Sequence, residues 1–162
     1  MILYFSATGN SEHVARRVAA ATDDKVMSIE HFDAETFRLA LAKESCRLGF
    51  VAPVYAWGLP TPMIEFLNKA DLSDTADTNG GKQPYTFFVS TYGSTTGQAG
   101  KFARDLLCER ELKLDAAMSV KMPDTWTPMF DLSDPQKVES INKAAEAQID
   151  AVIEAVRGRR TG

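Results

Sequence analysis

Residues 1–18 read Met-Ile-Leu-Tyr-Phe-Ser-Ala-Thr-Gly-Asn-Ser-Glu-His-Val-Ala-Arg-Arg-Val. An apolar run typical of a buried strand passes into a short loop of hydroxyl residues with one glycine, and a helical pattern follows at once. Backbone N–H groups at a helix N-terminus lack intrahelical partners, and the helix dipole adds positive potential there. The order of strand, loop and helix therefore predicts a cradle for a phosphate group.

The loop between this strand and helix carries side chains that bind an anion without adding charge. Ser6, Thr8 and Ser11 supply hydroxyl donors, and Gly9 lets the backbone approach closely. Asn10 or Ser11 is expected to cap the helix. No lysine or arginine occurs in this strand and loop, and the lysine-bearing nucleotide loop and the Gly-x-Gly-x-x-Gly fingerprint are both absent. A polar turn and helix cap without a ligand is the alternative interpretation.

Strand-like and helical patterns alternate along the rest of the chain. The predicted strands are Ile2–Phe5, Lys25–Ile29, Arg47–Ala52, Tyr85–Ser90 and Ala117–Met122. The predicted helices are Asn10–Ala21, Ala34–Ala42, Pro62–Lys69, Gly97–Glu111 and Pro135–Arg157, the last with Asp134 as its N-cap. This alternation predicts one α/β domain over residues 1–162, a doubly wound five-stranded parallel sheet between two helix layers. Ligands of such sheets bind beyond the carboxyl ends of the strands, which directs attention to the loops after strands one, three and four.

The composition is that of an ordinary globular protein, with 44% hydrophobic and 25% charged residues among 162. A net charge of −4 argues against a nucleic-acid binder. No apolar run approaches the roughly 18 residues of a membrane span, and no signal-peptide pattern is present, so a cytoplasmic location is expected. The basic residues of Arg157–Arg160 are interpreted as a frayed, solvated end.

Two cysteines, Cys46 and Cys108, are too few and too far apart in sequence to hold a metal or a cluster, and both are expected to be buried or half-buried structural thiols. His13 and His31 have no nearby pattern that would make a catalytic triad. The sequence therefore predicts neither catalytic residues nor a metal site.

The loop after the third strand contains two aromatic residues beside a glycine, and it reads Pro53-Val54-Tyr55-Ala56-Trp57-Gly58-Leu59-Pro60. Tyr55 and Trp57 supply aromatic faces for a flat ligand where strand ends meet. Gly58 beside them favours a ligand loop over ordinary core or surface aromatics, which is the alternative interpretation.

The loop after the fourth strand is rich in hydroxyls and glycine, and it reads Ser90-Thr91-Tyr92-Gly93-Ser94-Thr95-Thr96-Gly97. Tyr92 is predicted to stack on the other face of the flat ligand. Gly93 and Gly97 are predicted to free the backbone for contacts with polar ring atoms. Taken alone, the segment fits an ordinary turn equally well. Its place as the third loop in the expected order favours the ligand site.

The first loop resembles the phosphate-binding signature of the flavodoxin family. The matching residues are Ile2, Leu3 and Tyr4 in the strand, Ser6, Gly9 and Ser11 in the loop, and Ala15 and Val18 in the helix. Ser11 stands where the family has threonine, which keeps the hydroxyl. The resemblance extends over residues 1–122 and implies a flavodoxin-like three-layer sandwich that binds FMN. It assigns the 5′-phosphate to Ser6, Thr8, Gly9, Asn10 and Ser11.

The same resemblance implies how the other two loops contact the flavin. It assigns the ring to Pro53, Val54, Tyr55, Ala56, Trp57, Gly58, Thr91, Tyr92, Gly93 and Gly97. Trp57 would pack against the ring, and the Gly58–Leu59 peptide would flip so that its carbonyl accepts a hydrogen bond from reduced N5. Leu59 and Pro60 stand where many members carry an acidic residue, so a very low potential for the second electron does not follow from the resemblance.

A narrower resemblance is to the flavodoxin half of proteins that fuse it to a two-cluster ferredoxin. It is carried by Ser-Ala-Thr-Gly-Asn-Ser, Pro-Val-Tyr-x-x-Gly-Leu-Pro, Thr-Tyr-Gly and Met122-Pro123-Asp124. No ferredoxin cysteine motif is present, so a ferredoxin would be a separate partner. The segment Pro123–Asp134, with Trp126 and Phe130, is predicted to cover the flavin edge or to form a partner surface; an ordinary packed loop is the alternative.

These resemblances imply an FMN-binding electron carrier that serves redox partner proteins, such as a separate ferredoxin or a reductase. One alternative is an FMN-dependent NAD(P)H or quinone-type reductase. A second alternative is a flavin-free interaction module on the same fold, because fold does not fix function.

Overall fold

The computed structural model describes residues 1–42, 46–72, 83–125 and 132–162. Its centre is one five-stranded sheet in which every pairing is parallel. The strands are β1 (Ile2–Tyr4), β2 (Val26–Ser28), β3 (Arg47–Pro53), β4 (Tyr85–Tyr92) and β5 (Ala116–Lys121). The predicted five-stranded parallel α/β sheet is therefore confirmed.

Five α-helices within the described ranges cover the two faces of the sheet. They are α1 (Asn10–Thr22), α2 (Ala34–Leu41), α3 (Thr61–Lys69), α4 (Ala99–Glu109) and α5 (Pro135–Arg157). Asp134 caps α5 as predicted, because its carboxylate accepts hydrogen bonds from the amides of Gln136 and Lys137. Among the described residues, no helix is long and apolar enough to cross a membrane.

The two helix layers follow from the alternation of side chains along the strands. Ile2 and Tyr4 point into a core shared with α1 and α5, whereas Leu3 and Phe5 point into a core shared with α2, α3 and α4. Strands that are apolar on both faces can be covered on both faces, so the predicted three-layer sandwich results.

The strand order is β2-β1-β3-β4-β5. The chain therefore moves outward on one side of β1 and then returns to the other side of it, which places the switch in strand order between β1 and β3. The loops that follow these two strands flank that switch, where ligands of open α/β sheets bind.

Several element boundaries differ from the prediction at the carboxyl-terminal edge of the sheet, where the strands end and these loops begin. The strand β4 continues through Thr91 and Tyr92, which the sequence had assigned to a loop. The helix α4 begins at Ala99 instead of Gly97, because Gly97 has a φ of 51°, outside the right-handed helical region.

The chain end is exposed to solvent, as predicted, but the fold holds it in place, so the prediction that it is frayed is wrong. The Arg157 guanidinium donates to the Ala21 carbonyl at the end of α1. The Tyr85 hydroxyl donates to the Arg160 carbonyl at 2.6 Å, and Gly162 exchanges two backbone hydrogen bonds with the outer edge of β5.

The prediction for the two thiols is correct for Cys46, which is buried, and wrong for Cys108, which is exposed. The buried positions of α4 are Ala99, Ala103 and Leu107. Cys108 directly follows the last of these, so the helical rotation of about 100° per residue turns it away from the core.

An ion pair at the opposite end of the sheet joins the end of α1 to the start of β3. The Arg47 guanidinium donates to the Asp24 carboxylate at 2.8 Å and to the Thr22 carbonyl. Burial alone would raise the pKa of Asp24, but the Met1 amine, the Thr22 hydroxyl and Arg47 together hold that pKa below its ordinary value. The carboxylate is therefore stabilised in its charged form.

We expect Asp24→Asn to lower the free energy of unfolding by about 1–3 kcal/mol near pH 7, because the amide loses charge-assisted hydrogen bonds. The folded-state pKa is depressed, so this contribution is complete above the unfolded pKa near 4 and is lost as the pH falls through the folded value. Urea denaturation at a series of pH values measures the difference. Asp23→Asn is the matched control, since Asp23 is exposed and asparagine also tolerates its left-handed φ of 54°. An equal loss in the control, or a loss that does not shrink as the pH falls below about 4, contradicts this account.

Candidate functional site

The first loop ends in a left-handed glycine at the N-terminus of α1. Gly9 is the N-cap residue with φ 95°, and its amide donates to the Ser6 hydroxyl at 3.1 Å. The first backbone hydrogen bond of the helix runs from the His13 amide to the Gly9 carbonyl at 2.8 Å. The amides of residues 10–12 precede this bond and so have no acceptor within the helix. They give the helix N-terminus its capacity to bind an anion.

The expectation that Asn10 or Ser11 caps α1 is wrong, because both side chains bind elsewhere in the structure. The Asn10 amide group donates to the Pro123 carbonyl at 3.1 Å. The Ser11 hydroxyl lies 2.7 Å from the Thr91 hydroxyl, and both residues are buried. Ser11 is thus next to the predicted phosphate site through its backbone, while its hydroxyl connects α1 to the end of β4.

We expect Ser11→Ala to lower the free energy of unfolding by about 1–3 kcal/mol, because it leaves the Thr91 hydroxyl buried without this partner. The affinity for a ligand at the first loop should change by no more than about threefold, because the lost hydroxyl faces inward. Urea denaturation and ligand titration of Ser11→Ala, of Thr91→Val and of the Ser11→Ala/Thr91→Val pair measure both effects. The pair should lose less stability than the sum of its single variants. A large loss of ligand affinity with unchanged stability would show that the Ser11 hydroxyl itself contacts the ligand.

The third-strand loop forms a two-residue hairpin, the Tyr55–Gly58 turn. Tyr55 and Gly58 exchange backbone hydrogen bonds of 3.1 and 2.9 Å. The central residues Ala56 and Trp57 have φ values of 47° and 63°. Positive φ at both central positions is the mark of a type I′ turn, which normally takes asparagine and glycine. Residues with a Cβ in this region cost roughly 1–2 kcal/mol each, so neighbouring contacts must hold the turn in place.

The turn presents its aromatic side chains to solvent. Trp57 is 70% exposed and Tyr55 is 43% exposed. Partial burial raises the pKa of the Tyr55 phenol, so it stays neutral at physiological pH. The core part of the alternative interpretation is therefore wrong, whereas ordinary surface aromatics stay an alternative. Large exposed aromatics at the switch in strand order are available to a flat ligand.

The predicted peptide flip would act on a hydrogen-bonded carbonyl. The Gly58 carbonyl accepts from the Tyr55 amide at 3.1 Å, so rotation of the Gly58–Leu59 peptide breaks one of the two bonds that close the turn. Leu59 is buried, and Pro60 is the N-cap residue of α3. The flip stays a prediction, and its free-energy cost includes the loss of the hydrogen bond from the Tyr55 amide to the Gly58 carbonyl.

The residues of the third and fourth loops that were predicted to contact a ring also bind one another. The Val54 amide donates to the Thr91 carbonyl at 2.9 Å, next to the pairing of Pro53 with Thr91 in the sheet. Gly97 lies against the backbone of Trp57, since a Cβ on Gly97 would stand 2.2 Å from the Trp57 oxygen. The two loops are therefore one connected unit.

Gly93 and Tyr92 lie where β4 meets the segment after β5. A Cβ on Gly93 would stand 2.2 Å from a carboxylate oxygen of Asp124. Tyr92 is half-buried, and its carbonyl accepts from the Met122 amide at 2.8 Å. Asp124 thus brings a carboxylate to the edge where Leu59 and Pro60 supply none. The sequence contained this aspartate in Met122-Pro123-Asp124, but only its place in the fold shows what it contacts.

The start of the segment after β5 closes against the first loop. The Thr8 and Thr125 hydroxyls lie 3.4 Å apart, beside the contact of Asn10 with Pro123. Trp126 and Phe130, which were predicted to cover a flavin edge or to form a partner surface, lie outside the described residues. The described part of the segment therefore joins the edge formed by the other three loops.

Sequence reasoning missed Phe102 as a residue of this edge. It lies on the exposed side of α4 at 40% exposure, and its ring edge would be 2.9 Å from a Cβ on Gly58. The available signal was an aromatic side chain outside the buried positions of the helix. Its contact, Gly58, is 44 positions away in sequence, so no local pattern indicates it.

Strand order, helix layers and the position of these loops define an α/β protein of the flavodoxin-like fold class. The family model described as flavodoxin domain matches residues 1–151. The chain belongs to the flavodoxin domain family. No protein of curated function matches the sequence.

Solved structures show the same architecture at low sequence identity. A flavodoxin from the domain Archaea gives a TM-score of 0.59 at 13% identity, covering 96% of this chain and 96% of that one. The flavodoxin, WrbA-like protein from Agrobacterium tumefaciens gives 0.59 at 13% identity, covering 98% and 97%. The two-electron reduced Megasphaera elsdenii flavodoxin gives 0.52 at 18% identity, covering 90% and 97%. These likenesses show the fold.

The described residues suit FMN, which this family typically binds. In the part of the chain that the structure describes, no atom beyond the chain neighbours of Gly9 lies within 4 Å of a Cβ built on it, which leaves space at the first loop for a phosphate. Neutral donors and the N-terminus of α1 border that space, and exposed Trp57 stands on the neighbouring loop across the switch in strand order. The donor set fits a terminal phosphate, and the indole fits a flat ring.

Proposed function

We propose that this protein binds FMN non-covalently and carries electrons between redox partners. The observation that carries the proposal is the pairing, at one sheet edge, of the α1 N-terminus with Trp57, a side chain 70% exposed. An anion site and an aromatic platform on adjacent strands match the two ends of a flavin mononucleotide.

The chain's own residues have distinct tasks in this proposal. The amides of residues 10–12 and the Ser6 hydroxyl hold the phosphate, and Trp57 and Tyr55 contact the ring. The Asp124 carboxylate next to Gly93 adds negative charge to the same edge, which disfavours further negative charge there. FMN, when bound, supplies one- and two-electron redox chemistry, which these contacts and charges tune.

Titration of the purified protein with FMN tests the proposal. We expect the flavin absorption bands to shift and tryptophan fluorescence to be quenched, with saturation at one FMN per chain. Riboflavin, which has the ring without the phosphate, should bind more weakly. If neither flavin shifts its spectrum nor quenches tryptophan, the flavin-free interaction module is the better interpretation.

We expect Trp57→Ala to weaken FMN binding about tenfold and to shift its reduction potentials. An aromatic contact contributes roughly 0.5–1.5 kcal/mol beyond area burial, and about 1.4 kcal/mol corresponds to a factor of ten. Trp57→Phe is the matched control, because it keeps an aromatic face and should lose less. Absorption titration and redox titration measure both quantities. Unchanged affinity and potentials would remove Trp57 from the ring contacts.

Steady-state kinetics separates a carrier from a reductase. A carrier should oxidise NADH or NADPH with a quinone acceptor only when a separate flavin reductase is added. Efficient turnover by this protein alone would instead favour the FMN-dependent NAD(P)H or quinone-type reductase.

We propose redox proteins as partners, including a separate ferredoxin, as the resemblance to flavodoxin–ferredoxin fusions suggests. Reduction of the bound FMN by a reduced two-cluster ferredoxin would support that partner.

A further inference from the structure

The Tyr55–Gly58 turn is held from outside by the N-terminus of α4. The Gln98 amide donates to the Trp57 carbonyl at 2.7 Å, and the Gln98 carbonyl accepts the Phe102 amide at 2.9 Å. Gln98 is the N-cap residue of α4 and has no side-chain cap bond. The same residue therefore begins the helix and holds the turn through its backbone hydrogen bond.

Gly97 makes the hydrogen bond between the Gln98 amide and the Trp57 carbonyl possible. Its φ of 51° turns the chain so that the next amide faces Trp57, and a Cβ here would stand 2.2 Å from the Trp57 oxygen and 2.6 Å from its Cα. A side chain of any other residue would therefore push the Trp57 backbone away. The Phe102 ring adds a second contact from α4, against Gly58.

We infer that Gly97 and the Gln98 amide form a clamp that fixes the strained Tyr55–Gly58 turn before any cofactor binds, and so sets the affinity of the ring side of the site. This inference rests on the proposed function. Both central residues of the turn carry a Cβ at positive φ, so the turn relaxes when its external contacts are lost. Because the turn is already ordered, the protein loses less conformational entropy when the cofactor binds. Gly97 is thus a positioning residue that acts through Trp57.

The test compares Gly97→Ala with Gly100→Ala. The second variant adds the same methyl one helical turn further on, where the Ala117 Cβ at 3.3 Å has only to shift slightly. We expect Gly97→Ala to weaken riboflavin and FMN binding by the same factor, about tenfold, and to leave the binding of inorganic phosphate within twofold. In the apoprotein, amide hydrogen exchange at Gln98 should become at least tenfold faster. Gly100→Ala should change none of these values by more than about twofold.

Equal flavin affinity and equal Gln98 exchange in Gly97→Ala and the unsubstituted protein would overturn the inference. If Gly97→Ala does not fold, exchange in the unsubstituted apoprotein decides: Gln98 must exchange far more slowly than the exposed loop amide of Ala7, and equal rates overturn the clamp. If the unsubstituted protein binds neither flavin, the proposed function and the affinity part of the inference both fail. The exchange comparison then still shows whether the clamp itself exists.

Discussion

Gly9→Asp should weaken FMN binding about a hundredfold while it leaves riboflavin binding within about threefold. The new carboxylate would enter the space at the first loop, where no described residue beyond the chain neighbours of Gly9 lies within 4 Å of a Cβ on it. No lysine or arginine occurs in β1 or this loop to offset the added charge. Two like unit charges about 4 Å apart repel by ~4 kcal/mol at an effective dielectric of about 20, and by ~1 kcal/mol in bulk water. A dianionic phosphate at this loop would therefore lose a large part of its binding free energy.

Gly9→Asn is the matched control for this substitution. Asparagine has the shape of aspartate and a similar tolerance of positive φ, so the two variants share the backbone strain at φ 95° and differ in charge. We expect most of the affinity loss to be absent in Gly9→Asn, and the loss in Gly9→Asp to shrink as ionic strength rises. Equal losses in both variants would show that strain, and not the position of the phosphate, explains the effect.

Phe87→Ala should lower the free energy of unfolding by about 3–5 kcal/mol, the usual range for a large aromatic lost from a packed core. Phe87 is fully buried in β4, and its ring covers Gly49 on the neighbouring strand β3. A Cβ on Gly49 would stand 2.3 Å from the tip of that ring, so the glycine and the ring fill one space together. Urea denaturation of the apoprotein measures the loss.

A double-mutant cycle tests the shared space directly. Gly49→Ala alone should destabilise the protein by about 1–3 kcal/mol through overpacking, but it should be nearly neutral or stabilising after Phe87→Ala has removed the ring. Leu39→Ala is the control, because Leu39 is 58% exposed on α2 and should change stability by less than about 0.5 kcal/mol. Additive effects of the two substitutions would mean that the ring and the glycine do not compete for the same volume.

The sequence predicted the edge of the sheet more reliably than the contacts within it. Strand runs such as β3 are apolar on both faces, and the carboxyl ends of parallel strands meet at one edge, so the loops after β1, β3 and β4 could be brought together from pattern alone. The order of these loops in the chain then indicated their common site.

The contacts that sequence reasoning missed depend on partners far away in the chain or on unfavourable local geometry. The Ser11 hydroxyl binds Thr91, 80 residues later, so its inward direction has no local signal. Ala56 and Trp57 have no intrinsic preference for positive φ, and tertiary contacts impose it. The sequence predicts that Gly97 frees the backbone for contacts with a ring, whereas the atoms nearest to a Cβ on Gly97 belong to the Trp57 backbone.

The way the chain end lies on β5 bears on how copies of this protein behave at high concentration. An outer strand with unpaired amides and carbonyls is a template for joining sheets of separate molecules. Here the Gly162 backbone already bonds to the Asp115 carbonyl and the Ala117 amide, and the Gln148 side chain accepts from the Lys121 amide at 2.9 Å. With both ends of β5 engaged in this way, a second chain has less free backbone on which to extend the sheet at this strand.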